Sequence, residues 1–262
     1  MKQVMLNTGL EKKMKISVCS DALFMGKDYG QAMKELANAG FRDIEFWTWW
    51  DKDLSLLKSL KKEHDINFIT FCTKFSSLTD VSKLSEYKQG LIESIAAAKE
   101  IGCKMLISQV GDELIYVDRS IQHYNIVDGL KEMAPLVEKA GILLLIEPLN
   151  TRIDHKGYYM WDSDEAFEIV GEVGSANVKV LFDIYHQQIM QGDLLRRIEA
   201  NINKIAHFHA AGNPGRHELE AGELNYRFII DEIKKAGYKG YFGLEYFPVN
   251  KPEDGLKSIL SY

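Results

Sequence analysis

The stretch Lys139–Glu147, KAGILLLIE, decides the fold. It joins the end of a polar, helix-like segment to five aliphatic residues in a row, with a glycine at the joint and a glutamate at the far end. Glycine suits the left-handed position just past a helix C-terminus. An unbroken apolar run bounded in this way reads as a strand buried on both faces, the kind found in parallel sheets. The same junction recurs as NAGFRDIEF (38–46), EIGCKMLIS (100–108) and KAGYKGYFGLE (235–245). A chain that repeats helix, glycine and buried strand is building βα units.

Reading outward from these junctions gives eight strands, at 14–20, 42–47, 66–73, 103–109, 142–147, 178–184, 205–210 and 240–246. The intervening segments have helical spacing. Met33, Leu36 and Ala37 share one face, Asp53 is a suitable N-cap, and Leu56, Leu57 and Leu60 follow it together. Eight such units within 262 residues fit a single (β/α)8 TIM barrel over 14–262, preceded by an N-terminal extension over 1–13. A doubly wound open sheet is the competing architecture, but no Gly-rich phosphate loop follows the first strand.

Composition narrows the function. Apolar residues make up 46% of the chain and charged ones 27%, ordinary for a globular protein. A net charge of −6 argues against a nucleic-acid partner held by phosphate neutralisation. No apolar run approaches the ~20 residues of a membrane span, and the start lacks the apolar core of a signal peptide. Cys19, Cys72 and Cys103 form no CxxC pair and lie in apolar stretches. They read as buried thiols in a reducing, cytoplasmic setting.

The chemistry of a TIM barrel sits where its strands end. Glu147 ends the fifth strand, Asp183 the sixth and Glu245 the eighth, while His209 lies near the end of the seventh. Three carboxylates and an imidazole on consecutive strands form a hard, oxygen-rich set. Without a cation the carboxylates would repel one another. Such a set favours Mn²⁺, Mg²⁺ or Co²⁺; Zn²⁺ more often takes extra His or Cys. A single acid at a strand end is more often a helix cap or an ion-pair partner, so the weight lies in four together. His207 points to the same side of its strand as His209 and reads as structural. Glu45, at the end of the second strand, is left open between a substrate contact and a pair with Lys74. Trp47, Trp49 and Trp50, in FWTWW, suit an apolar wall over a small substrate or a subunit contact.

The segments IEPLN, FDIYHQQ, HFHAAGNPGRHELEAGELNY and GYFGLEYFP, with LFMGKDYGQAMKELANAGFRDIEF near the start, resemble hydroxypyruvate isomerase and its sugar isomerase/epimerase relatives, which are xylose isomerase-like barrels. The resemblance spans most of the chain, and NPGRHE followed by GELNY is its most specific part. It implies a divalent metal on Glu147, Asp183, His209 and Glu245. The two glutamates would also be acid and base, and His186, Arg216 and His217 would hold substrate. Hydroxypyruvate isomerases commonly carry glutamine in place of His209, where histidine is typical of ketose 3-epimerases. The expected activity is interconversion of hydroxypyruvate and tartronate semialdehyde by proton transfer beside a carbonyl. Ketose 3-epimerisation or another sugar isomerisation is the alternative. A polyol dehydratase, an apurinic endonuclease and a non-catalytic sugar-binding barrel are further rivals. The expected partner is a small hydroxy-carbonyl or sugar substrate, and a homo-oligomer is left open.

Overall fold

The computed structural model describes residues 13–259. The expected extension over 1–13 lies, but for Lys13, outside the described residues. The strands are β1 (Lys15–Cys19), β2 (Asp43–Glu45), β3 (Asn67–Phe68), β4 (Thr70–Cys72), β5 (Met105–Ser108), β6 (Leu143–Ile146), β7 (Val178–Asp183), β8 (Ile205–Ala210) and β9 (Tyr241–Leu244). All are parallel, in the order β3-β2-β1-β9-β8-β7-β6-β5-β4. Both ends of that order, β3 and β4, belong to one stretch, so the sheet curls into a barrel with helices outside. Ile69 N donates to Ile44 O at 2.9 Å and Cys72 N to Trp47 O at 2.9 Å, tying the stretch to the end of β2.

The expected eight strands are therefore present, the third in two pieces. Ile69 and Cys72 both join the small apolar cluster inside the barrel with Met105, Ile107, Leu145 and Leu181. Residues three apart cannot face the same way in a regular strand. The break between β3 and β4 is where that alternation slips.

The quoted junction behaves as its sequence demands. Gly141 caps the helix Arg119–Ala140 with φ of 64°, a conformation that costs other residues a clash with Cβ. Asp53 caps the helix Leu54–His64 by accepting from Ser55 N and Leu56 N. Leu57 and Leu60 are buried as expected, but Leu56 is 39% exposed because it faces away from the strand layer. Met33, Leu36 and Ala37 are all buried. A large apolar layer between strands and helices forms the main core. The three cysteines are free and buried. Among the described residues, no helix is long and apolar enough to cross a membrane.

Candidate active site

Glu147 directly follows β6, Asp183 ends β7, His209 lies one residue before the end of β8, and Glu245 directly follows β9. These strands are neighbours, and Asp183 is in register with His209. The barrel thus delivers all four side chains to one point of its C-terminal rim. One ligand-type atom from each lies within 4.8 Å of the others. All four residues are buried, Asp183 and His209 at 1% exposure.

Such a concentration of buried acids needs compensation. Part comes from Arg216, whose Nη2 donates to Glu245 Oε2. Arg216 is buried, and its guanidinium lies 5.5 Å from the rings of both Tyr185 and Phe247. Trp47 Nε1 donates to the other oxygen, Glu245 Oε1, at 2.6 Å. Burial pushes the Glu245 carboxyl up, but Arg216 and His209 outweigh it and hold the group well below the usual carboxylate range. Glu147 and Asp183 move the other way, raised chiefly by burial. His209 Nδ1 stands 3.5 Å from both Glu147 Oε1 and Glu245 Oε2. Burial works against its positive charge, but Glu245 and Glu45 raise its pKa well above the ordinary histidine value.

Three of the converging atoms, Glu147 Oε1, Asp183 Oδ2 and His209 Nδ1, are buried with no hydrogen-bond partner. Each such atom carries a desolvation cost that a cation would offset. The donor set is oxygen-rich with one imidazole, which fits Mn²⁺, Mg²⁺ or Co²⁺.

Beneath the four lies a second group. Glu45 Oε2 is 2.8 Å from His209 Nε2, and Glu45 Oε1 is 2.9 Å from His207 Nε2, the latter not aligned as a hydrogen bond. Glu45 pairs with the histidines and not with Lys74, which pairs with Glu93. A carboxylate beside Nε2 keeps a proton there, so a cation at the cluster would take the place of any proton on Nδ1, the nitrogen that faces it. Gly243 on β9 makes the space: a Cβ there would come within 2.7 Å of Glu45 Oε1 and His209 Cδ2, and within 2.9 Å of His207 Nε2. His207 is fully buried in this layer, in keeping with a structural role.

The remaining expected residues divide. His186, in the helix Ile184–Met190, has its Nε2 3.7 Å from Asp183 Oδ2 and borders the cluster. His217 does not join it: its Nδ1 pairs with Phe247 O at 2.8 Å, and its backbone bridges to Gly212. Those bonds hold the loop that carries Arg216. The tryptophans separate too. Trp47 meets Glu245, Trp49 turns inward to Ser94 Oγ at 3.1 Å, and Trp50 stands outward against Phe75. Sequence reasoning missed Gly243, Asn150 and the bond of Trp47 to Glu245. The only local sign was the proximity of each to a strand end.

Residues 33–262 match the family model described as xylose isomerase-like TIM barrel. The chain is 31% identical over 248 residues to hydroxypyruvate isomerase of Escherichia coli (strain K12), covering 92% of this chain and 96% of that one. It is 39% identical over 145 residues to 2-oxo-tetronate isomerase of Cupriavidus necator, covering 55% of each. A crystal structure named AP endonuclease, family 2, from Brucella melitensis superposes with a TM-score of 0.88 at 28% identity, over 95% of this chain and 99% of that one.

Proposed function

The chain belongs to the xylose isomerase-like TIM barrels and, within them, to the hydroxypyruvate isomerase family of isomerases; from that membership we propose that it interconverts a small hydroxy-aldehyde and hydroxy-ketone, hydroxypyruvate and tartronate semialdehyde being the first pair to test. The observation that carries this reading is the buried convergence of Glu147, Asp183, His209 and Glu245 around three unpartnered ligand atoms. These four residues would hold the divalent ion. When bound, the ion supplies positive charge beside a substrate oxygen on which negative charge develops.

The protein's own groups do the proton chemistry. Both oxygens of Glu245 are engaged, by Trp47 and Arg216, whereas among the described residues neither side-chain oxygen of Glu147 accepts a hydrogen bond, so one stays free when the other holds the ion. Glu147 is therefore the freer group to take a proton from the hydroxyl-bearing carbon and return it to the neighbouring carbon. The hydroxyl proton passes to the former carbonyl oxygen, so no outside oxidant or reductant is needed. Epimerisation would require a proton from the opposite face, and Glu245 would first have to release a donor. That difference favours isomerisation. Arg216 would pair with a substrate carboxylate, held edge-on to its fork by the aromatic rings beside it.

A cavity of about 690 Å³ supports a longer substrate as the second reading. It is lined by Phe75, Gln109, Leu149, Asp154, His155 and Tyr158 among others, and reaches the neighbourhood of His186, whose ring lies 5.2 Å from that of His155. Pockets of about 300–1,000 Å³ take ligands well beyond three carbons. Four- to six-carbon hydroxy-ketones therefore belong beside hydroxypyruvate as candidates, a reading that the histidine at 209 also favours. The acidic net charge weighs against a DNA phosphodiester substrate.

The test is a panel of hydroxypyruvate, tartronate semialdehyde, 2-oxo-tetronate and common ketoses with Mn²⁺ and Mg²⁺ in deuterated water. Turnover with solvent deuterium entering at the carbon next to the carbonyl is the expected result. No exchange into any of them would reject the reading, and activity confined to hydroxypyruvate would reject the longer-substrate reading.

A further inference from the structure

We infer that Asn150 is a positioning residue that locks His186 in the tautomer with its proton on Nε2, so that His186 meets substrate as a hydrogen-bond donor and not as a base. The role toward substrate rests on the isomerase reading above; the tautomer itself does not. Asn150 lies three residues beyond Glu147 and is fully buried. Its Oδ1 accepts from Ile153 N at 3.0 Å and from Asp154 N at 3.0 Å. Two backbone N–H groups on one atom fix which end of the amide is oxygen, because a flipped amide would set donors against donors.

The amide nitrogen therefore faces the other way. Asn150 Nδ2 lies 2.5 Å from Asp154 Oδ2 and 2.7 Å from His186 Nδ1. Its two protons serve these two acceptors, and all four hydrogen-bonding positions of the side chain are filled. Asp154 is itself held by Tyr185 OH at 3.0 Å. A donor at 2.7 Å demands a lone pair on Nδ1, which leaves the ring proton on Nε2. That Nε2 is buried and unpartnered within the protein.

The consequence is specific. The substrate atom that meets His186 must accept a hydrogen bond, as a carbonyl or carboxylate oxygen does. Proton abstraction from carbon cannot fall to His186, which leaves it to the carboxylates.

The deciding experiment is long-range proton–nitrogen NMR on the metal-free full chain with ¹⁵N-labelled histidine, the His186 signals being assigned by their loss in His186→Gln. The expected pattern is a ring proton on Nε2 and none on Nδ1; any pattern with a proton on Nδ1 would overturn the proposal. Asn150→Asp should reverse the tautomer, because a carboxylate accepts from Nδ1–H. If the new charge beside Asp154 prevents folding, a pair of variants that keep Asn150 serves instead. Glutamine places an amide nitrogen near the Nε2 position, whereas asparagine reaches only Nδ1. His186→Gln keeps a donor to substrate and should raise KM by less than on the order of tenfold, the weight of one neutral hydrogen bond. His186→Asn should lose far more, and equal losses in the two would overturn the donor role. The NMR arm needs no substrate, so a substrate panel without turnover would reject the isomerase reading and leave the tautomer standing.

Discussion

Glu45 Oε2 lies 2.8 Å from His209 Nε2, although the two residues are 164 positions apart and their strands are separated in the sheet by β1 and β9. The carboxylate crosses the barrel interior over Gly243, which has no side chain to block it. His209 is thereby held with Nδ1 toward Glu147 and Glu245. A carboxylate on the far nitrogen of a metal-binding histidine fixes the ring and raises its basicity as a ligand.

Glu45→Gln should therefore weaken divalent-metal binding by about 10–100-fold, the usual effect of losing such an outer partner. Titration calorimetry with Mn²⁺ measures it. Unchanged affinity in a folded variant would remove Glu45 from the metal site.

Gly243→Ala places a methyl group within 2.7 Å of Glu45 Oε1 and His209 Cδ2. Overpacking of this kind costs roughly 1–3 kcal/mol, and both thermal stability and metal affinity should fall. Melting with and without Mn²⁺ reads both. A variant with the parent melting temperature and metal response would show that the layer repacks freely.

Asp183 has two tasks, which substitution can separate. Its Oδ1 accepts from His186 N at 2.8 Å and so caps the helix Ile184–Met190, while Oδ2 faces the cluster. Asp183→Ala should lose most bound metal and about 1 kcal/mol of stability with the cap. Asp183→Asn keeps a capping oxygen and should lose metal with less destabilisation. Elemental analysis showing full metal content in folded Asp183→Ala would refute the ligand assignment.

Glu147→Gln keeps an oxygen donor and similar volume but cannot take a proton. Turnover should fall by at least about 10²-fold, with metal retained in part by the other three ligands. Near-parental turnover and deuterium exchange at saturating Mn²⁺ would exclude Glu147 as the base.

Glu45 also predicts a pH dependence. Burial works to raise its pKa, but His207 and His209 outweigh it and bring the group from 4.5 to about 2. A carboxyl depressed on folding adds stability that is fully present above its unfolded value and disappears as pH falls through the folded one. The stability advantage of the metal-free parent over Glu45→Gln should thus be steady just above pH 4.5 and shrink between pH 4.5 and about 2. Urea denaturation in the presence of a chelator gives the two curves. A difference that stays constant across that interval would contradict the pairing.

The sequence by itself determined the barrel and the rim on which its candidate chemistry lies. Helix spacing, the glycine at 141 and the aliphatic run before Glu147 act through local backbone geometry and burial, so they can be read along the chain. The four cluster residues were legible for the same reason, each falling at or near the end of a recognisable strand. Only the tertiary structure decided that Glu45 belongs to His209, that Arg216 and Trp47 occupy Glu245, that His217 Nδ1 meets Phe247 O, and that the third strand breaks at Ile69. These depend on how the sheet closes: closure brings side chains from strands far apart in sequence within hydrogen-bonding distance, and sets which of them face inward at one level. Periodicity along a single strand carries no information about that register.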